Sequence, residues 1–173
     1  VLSLMGYLSS KAIIQTSAGN EMSQCLSVAM GSIEMSLSNN RMVAETMARG
    51  VEAVQRQAVK GEQTASDWDA AAYQEILTSF VGSNPETFGG GIWFEPYQYR
   101  PEQRYFSPYC MRQNGAVTYV DNYSLGEGVY YTDQDWYTNA ANTTQKSVWS
   151  APYYDEFAQI SMVTSSAPIY DET

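Results

Sequence analysis

The 173-residue chain contains no histidine, only two cysteines and only six prolines. Without histidine it lacks the usual catalytic base and the commonest zinc ligand. Two cysteines cannot make a disulfide scaffold or a four-cysteine metal site. Basic residues are also scarce, nine against 19 acidic ones, for a net charge of −10. A chain of that sign is a poor partner for a phosphate backbone, so nucleic acid is excluded as the expected partner. There is no 18-residue apolar run, so no segment spans a bilayer by itself. Charged residues are only 16% and hydrophobic ones 44%, which excludes a disordered chain and a coiled-coil rod.

What the chain does have is unevenly spread. Residues 1–62 carry five basic and five acidic groups, and residues 63–173 carry four basic and 14 acidic. The stretch from Trp93 to Phe157 holds 17 of the 23 aromatic residues. Two compositions in one chain of single-domain length imply two structural parts.

The first part reads as helix. From Lys11 to Lys60 there is no proline and only three glycines. Leu26, Met30, Ile33, Leu37, Asn40, Ala44, Met47, Val51, Val54 and Ala58 alternate spacings of four and three, which keeps one face towards a partner over many turns. That partner is either a second copy or the chain's own second half. Asn40 is the one polar member, and such an asparagine can fix register or oligomer state. A helix over residues 8–59 would be roughly 75 Å long, so part of it is expected to project. Lys60-Gly61-Glu62-Gln63-Thr64 breaks the pattern. Ser66 or Asp67 can cap a second helix with Ala70, Ala71, Tyr73, Ile76, Leu77 and Phe80 on its apolar face, ending at Gly82-Ser83-Asn84-Pro85. The opening Val-Leu-Ser-Leu-Met-Gly-Tyr-Leu is either an apolar helix start or the last turns of a transmembrane helix.

The second part reads as strands. Gly89-Gly90-Gly91 leads into a strand at Ile92-Trp93-Phe94. Residues 105–111 form another, with Pro108 pointing to an edge or a bulge. Asn114-Gly115 before Ala116-Val117-Thr118-Tyr119-Val120 predicts a tight hairpin. Thr132 or Asp133 can cap a short helix through Trp136, Tyr137 and Ala140. Strands follow at 147–149, 153–154 and 159–164, the last with the alternation of a half-buried antiparallel strand. Cys25 and Cys110 are expected to be free thiols.

Catalysis finds little support. Asp133 with Asp135 and Asp155 with Glu156 are carboxylate pairs, but nothing places them about a glycosidic bond. A serine nucleophile would need Lys11, Lys60 or Lys146 as base, and none lies in a recognisable motif. Phe88-Gly89-Gly90-Gly91 lacks the lysine of a phosphate-binding loop, and Asp133-Gln134-Asp135 is only a fragment of a calcium loop. The expectation is a binding protein with no catalytic residues, metal or cofactor. Aromatic walls beside carboxylates suit a small, cationic solute, and exposed aromatics also suit a carbohydrate-binding or adhesive surface module.

Four segments come in a telling order: Gly91-Ile92-Trp93-Phe94-Glu95-Pro96-Tyr97, Asp133-Gln134-Asp135-Trp136-Tyr137, Val148-Trp149-Ser150-Ala151-Pro152-Tyr153-Tyr154-Asp155-Glu156, and Met162 through Tyr170. Together they resemble the extracytoplasmic double Cache sensor domains of bacterial and archaeal receptors, over roughly residues 10–173. The resemblance implies an α+β fold, with a long N-terminal helix before a PAS-like antiparallel sheet that forms the membrane-distal module of two. It divides the chain into 1–10, the end of a transmembrane helix; 11–82, the long and second helices; and 83–173, the ligand-binding module. Because the family continues past Tyr170-Asp171 into a further strand, that module is expected to be incomplete at its C-terminal end.

The resemblance also implies a site and a partner. Members that bind amino acids carry an arginine, which holds the ligand's carboxylate, where this chain has Gln134. Tyr153 and Asp155 match the tyrosine and the aspartate that holds the ligand's amino group. The expected pocket is lined by Trp136, Tyr137, Tyr153 and Asp155, with Tyr130, Tyr131 and Gln134 nearby. Lacking the arginine, it would favour an organic amine over an amino acid. The implied protein is anchored in the cell membrane with this domain outside it and signals across the membrane as chemotaxis receptors and sensor kinases do; the seam of the long helix, where a second copy covers it, would make it a homodimer.

Overall fold

The computed structural model describes residues 2–60 and 70–170. Helix α1 runs from Leu2 to Lys60 without interruption and α2 from Ala70 to Ser83. Strands β1 (Gly89–Gly91), β2 (Tyr109–Gln113) and β3 (Ala116–Val120) follow, then helix α3 (Asp135–Ala141), then β4 (Val148–Trp149), β5 (Tyr153–Asp155), β6 (Ile160–Met162) and β7 (Ser165–Ser166). The arrangement is α+β and PAS-like, as expected. Every strand pairing is antiparallel: β1-β2-β3 form one sheet, β4 pairs with β7, and β5 with β6. No helix among the described residues is long and apolar enough to cross a membrane.

The chain divides into two compact units, residues 1–39 and 40–173. In the first, α1 is a solvated helix: Leu26, Met30 and Ile33 are each 60% exposed and Leu37 is exposed. In the second, the same rhythm meets a core. Ala48 and Val51 are buried there and Met47 is packed against the buried cluster. Asn40 spends its side chain within this unit, its Oδ1 accepting from Thr87 Oγ1 at 2.9 Å. The side chains of Val54 and Ala58, the proposed caps Ser66 and Asp67, and residues 1–10 as a membrane segment lie outside the described side chains.

The buried face of α2 is Tyr73, Leu77 and Val81, at the spacing of one helical stripe. It lies against the β1-β2-β3 sheet and shares a core with Val51, Ile92, Tyr99, Phe106 and Cys110. Strand β2 separates two clusters because its side chains alternate between faces. Cys110 points into the α2 side, whereas Tyr109 and Met111 join an aromatic cluster with Tyr123, Tyr131 and Trp136. That second cluster is where the candidate site sits.

Several local expectations need correcting. The strand expected over 105–111 begins only at Tyr109, after Pro108, and is the central one of its sheet, and that expected over 159–164 is the shorter β6. Strand β1 is the glycine triplet itself, not Ile92-Trp93-Phe94, which continues the ladder by only two backbone bonds, Ile92 N–H to Pro108 O and Phe94 N–H to Phe106 O. The glycines are needed because neighbours lie directly over them. A Cβ at Gly89 would collide with the Tyr109 hydroxyl, and one at Gly91 would sit 2.9 Å from both the Pro108 carbonyl and the Trp93 ring. The cap of α3 also differs. Thr132 and Asp133 belong to a 3₁₀ turn, Tyr131–Asp133, and the N-cap is Gln134 without a side-chain cap bond. The hairpin is as read: Asn114 and Gly115 have φ of 50° and 82°, the left-handed pair that a two-residue turn requires. Cys25 is exposed, Cys110 is buried, and both are free thiols.

Candidate functional site

Strand β5 ends on Asp155, whose side chain is only 2% exposed. One carboxylate oxygen accepts the Ala158 N–H at 2.6 Å, closing the turn between β5 and β6. The other accepts a short bond from the Tyr123 hydroxyl. Both donors are neutral, and among the described residues no Lys or Arg pairs with Asp155. A buried carboxylate without a counter-charge is costly, and here neutral donors alone offset that cost.

Tyr123 was not singled out from the sequence, yet it is central here. Its backbone is fixed by Ser107, which accepts the Tyr123 N–H at 2.8 Å and returns its hydroxyl to Tyr123 O at 3.1 Å. The ring packs against Trp93, Tyr109, Trp136 and Phe157. Burial, and then the bond to Asp155, push the Tyr123 hydroxyl far above its ordinary value, so it stays protonated and remains a donor. Tyr109 is raised for the same first reason, with the Asp155 charge adding to it.

Trp136, from the first turn of α3, is 4% exposed and lies 4.8 Å from the Trp93 ring. The indole N–H groups of both are buried without a hydrogen-bond partner. Buried polar groups are nearly always satisfied, so these two donors stand beside a carboxylate that is hydrogen-bonded but lacks a counter-charge. Trp93 belongs to the expected strand and to the Gly91–Tyr97 segment of the resemblance, but not to the pocket expected from the sequence. Its role follows from Gly91, which leaves room for the indole to fold back.

The other expected residues divide by position. Tyr153 is half-buried and shares a 2.7 Å bond between its hydroxyl and Thr164 Oγ1. Burial raises its pKa, while the Thr164 bond opposes the shift. Tyr131 is buried, donates to the Phe94 carbonyl at 2.6 Å, and is pushed up to about 12, chiefly by burial. Tyr137 packs on Tyr131 and Trp136, and burial together with its bond to Glu95 raises its hydroxyl. Tyr130 is more peripheral. It stacks on Tyr105 at 4.9 Å, with the Arg104 guanidinium over both rings. Gln134 donates weakly to the Tyr130 carbonyl at 3.4 Å. Trp136, Tyr131, Tyr137 and Tyr153 thus belong to one aromatic cluster, Asp155 joins it through Tyr123, and Tyr130 and Gln134 stand at its margin. Among the described residues no three Cys, Asp or Glu side chains are grouped to hold a metal ion.

The chain resembles known proteins in two respects. The family model of the methyl-accepting chemotaxis protein-like first PDC sensor domain matches residues 73–173. Among solved structures, the extracellular domain of the histidine kinase soHK1S-Z6 is 26% identical with a TM-score of 0.50. The match covers 83% of this chain and 58% of that one. No curated protein matches the chain.

Proposed function

Since the chain belongs to the family of methyl-accepting chemotaxis protein-like first PDC sensor domains, we propose that it binds a small amine or amino acid-like solute outside the cell and reports the event through α1. It would be the membrane-distal module of a double Cache receptor, anchored in the cell membrane and paired as a homodimer along the exposed seam of α1. Its role would be binding and signalling, not catalysis.

The observation that carries the reading is the Asp155 carboxylate, buried among neutral donors with no cation beside it among the described residues. An ionised carboxylate has about four lone-pair directions, and two are used here, so an ammonium group can add charge-assisted bonds to the rest. Such a bond is worth about 1.5–3 kcal/mol. The unpaired indole donors of Trp93 and Trp136 favour a solute that also carries an acceptor. Gln134 brings no positive charge, which favours a neutral acceptor or a weakly held carboxylate over one that needs a guanidinium.

A thermal-shift screen with amines, amino acids, organic acids and sugars tests this, because a true ligand stabilises in proportion to the logarithm of its concentration above the dissociation constant. Amines or amino acids should raise the melting temperature, and Asp155→Asn should abolish the shift. A response confined to sugars would favour a carbohydrate-binding surface module, and one confined to organic acids would remove Asp155 as the anchor.

A further inference from the structure

Three side chains of α1 fasten the segments around the candidate site. Glu45, Arg49 and Glu52 stand four and three residues apart, on one face of the helix. The buried Ser147, one residue before β4, donates its hydroxyl to Glu45 Oε1 at 2.5 Å. Arg49 donates to the Pro168 carbonyl at 2.7 Å, and the Tyr170 N–H donates to Glu52 Oε1 at 3.0 Å. Glu52 is itself buried and paired with Arg49 at 2.7 Å and Arg56 at 3.9 Å. Strands β4 and β7 pair with each other, so the helix holds the segment entering one strand and the segment leaving the other.

The site reaches the same strands from its own side. Thr164, the residue before β7, shares a bond with the Tyr153 hydroxyl at 2.7 Å and is tied to Ser150 by two further bonds, of 2.9 and 3.0 Å. Helix α3, which carries Trp136 and Tyr137, packs on both β4 and β7. Both β5 and α3 are thus joined to the β4–β7 pair. That pair cannot slide past α1 without breaking the Ser147–Glu45, Arg49–Pro168 and Tyr170–Glu52 bonds, each at the cost of a lost hydrogen bond.

We infer that the Glu45–Arg49–Glu52 stripe couples the state of the Asp155 site to α1, through Tyr153, Thr164 and the β4–β7 pair. This rests on reading Asp155 as a ligand anchor, but its test needs no ligand. Contiguous contacts alone do not establish coupling; non-additivity does. Asp155→Asn keeps the side chain's size and removes the charge, as an arriving cation would neutralise it. The experiment records backbone amide NMR shifts of the whole chain for the native sequence, Asp155→Asn, Ser147→Ala with Arg49→Gln, and the combination.

Asp155→Asn should shift the amides of Ser147 and Tyr170 and those of residues 44–52. In the Ser147→Ala, Arg49→Gln background, where the Tyr170–Glu52 tie remains, the changes over residues 44–49 should be lost, while those at Ala158 and Tyr123 persist. Equal changes over 44–49 in both backgrounds would overturn the inference. So would changes confined to Ala158 and Tyr123 in the native background. If the paired variant loses the dispersion of a folded protein, Ser147→Ala alone replaces it, and the changes nearest Glu45 should then be the ones lost. The inference fails on these amide shifts, and the ligand reading fails on the thermal-shift screen, so the two are separable.

Discussion

Asp155 and Tyr123 form the bond on which the site turns, and each can be removed separately. Tyr123→Phe keeps the ring and its contacts with Trp93, Tyr109, Trp136 and Phe157 while deleting the hydroxyl. A hydrogen bond to a charged group contributes about 1.5–3 kcal/mol, so urea unfolding should show a loss of that order with an unchanged slope. Asp155→Ala leaves the Tyr123 hydroxyl and the Ala158 N–H without acceptors, and should cost at least as much. A loss under about 0.5 kcal/mol in either variant would show that water replaces the missing partner. The two residues differ in how readable they were. Asp155, with Tyr153, stood in a P-Y-x-D segment whose spacing on a short strand is local. Tyr123 had no such signal. It lies in the loop after β3 and meets Asp155 across 32 residues of chain. Trp93 was hidden for a related reason, because its position depends on which neighbours lie over Gly91.

At the level of the element, α1 shows how far periodicity alone can be read. The four-three spacing from Leu26 to Val51 correctly marks one face of a helix, but the pattern carries no label for what covers it. Leu26, Met30 and Ile33 are exposed within their unit, and Val51 is wholly buried within its own. Leu77→Ala, in the core shared with Val51, should cost about 2–5 kcal/mol by urea unfolding. Leu26→Ala in dilute protein should fall within about 0.5 kcal/mol of native. A large effect of Leu26→Ala that grows with protein concentration would instead locate a second copy on the seam. The strands were legible where turn chemistry is local, as at Asn114-Gly115, and illegible where glycine serves packing. Gly91→Ala brings a Cβ to within 2.9 Å of the Pro108 carbonyl and the Trp93 ring, so it should destabilise by about 1–3 kcal/mol. It should also change the near-ultraviolet circular dichroism of the tryptophans. An unchanged spectrum would mean that the Trp93 ring does not lie over the β1 backbone.

For the whole molecule, the absence of histidine and the wealth of buried tyrosine together set the response to pH. The charge and aromatic asymmetry of the two halves marked two parts, the four-three spacing made the first a helix, turn signals made the second strands, and the PAS-like fold came with the family resemblance. The same asymmetry concentrates the titrating phenols in one unit. Burial raises Tyr131 to about 12 and holds Tyr73, Tyr109, Tyr123 and Tyr137 above their ordinary value as well. An unfolded tyrosine ionises near pH 10. A raised folded value means that the unfolded chain loses these protons first, so their contribution to stability is complete below about pH 10 and declines above it. For Tyr131 the decline runs from about pH 10 to about 12. Tyr123 adds a further penalty, since its phenolate would face the Asp155 carboxylate across the bond that its proton now makes. Melting temperature measured against pH should therefore fall steeply above about pH 10. Phenolate absorbance from the buried set should appear in one cooperative step together with the loss of far-ultraviolet circular dichroism. Smooth ionisation of all 14 tyrosines near their ordinary value, with the dichroism intact, would show that the aromatic cluster is open to solvent and that the burial of the Asp155 site is overstated.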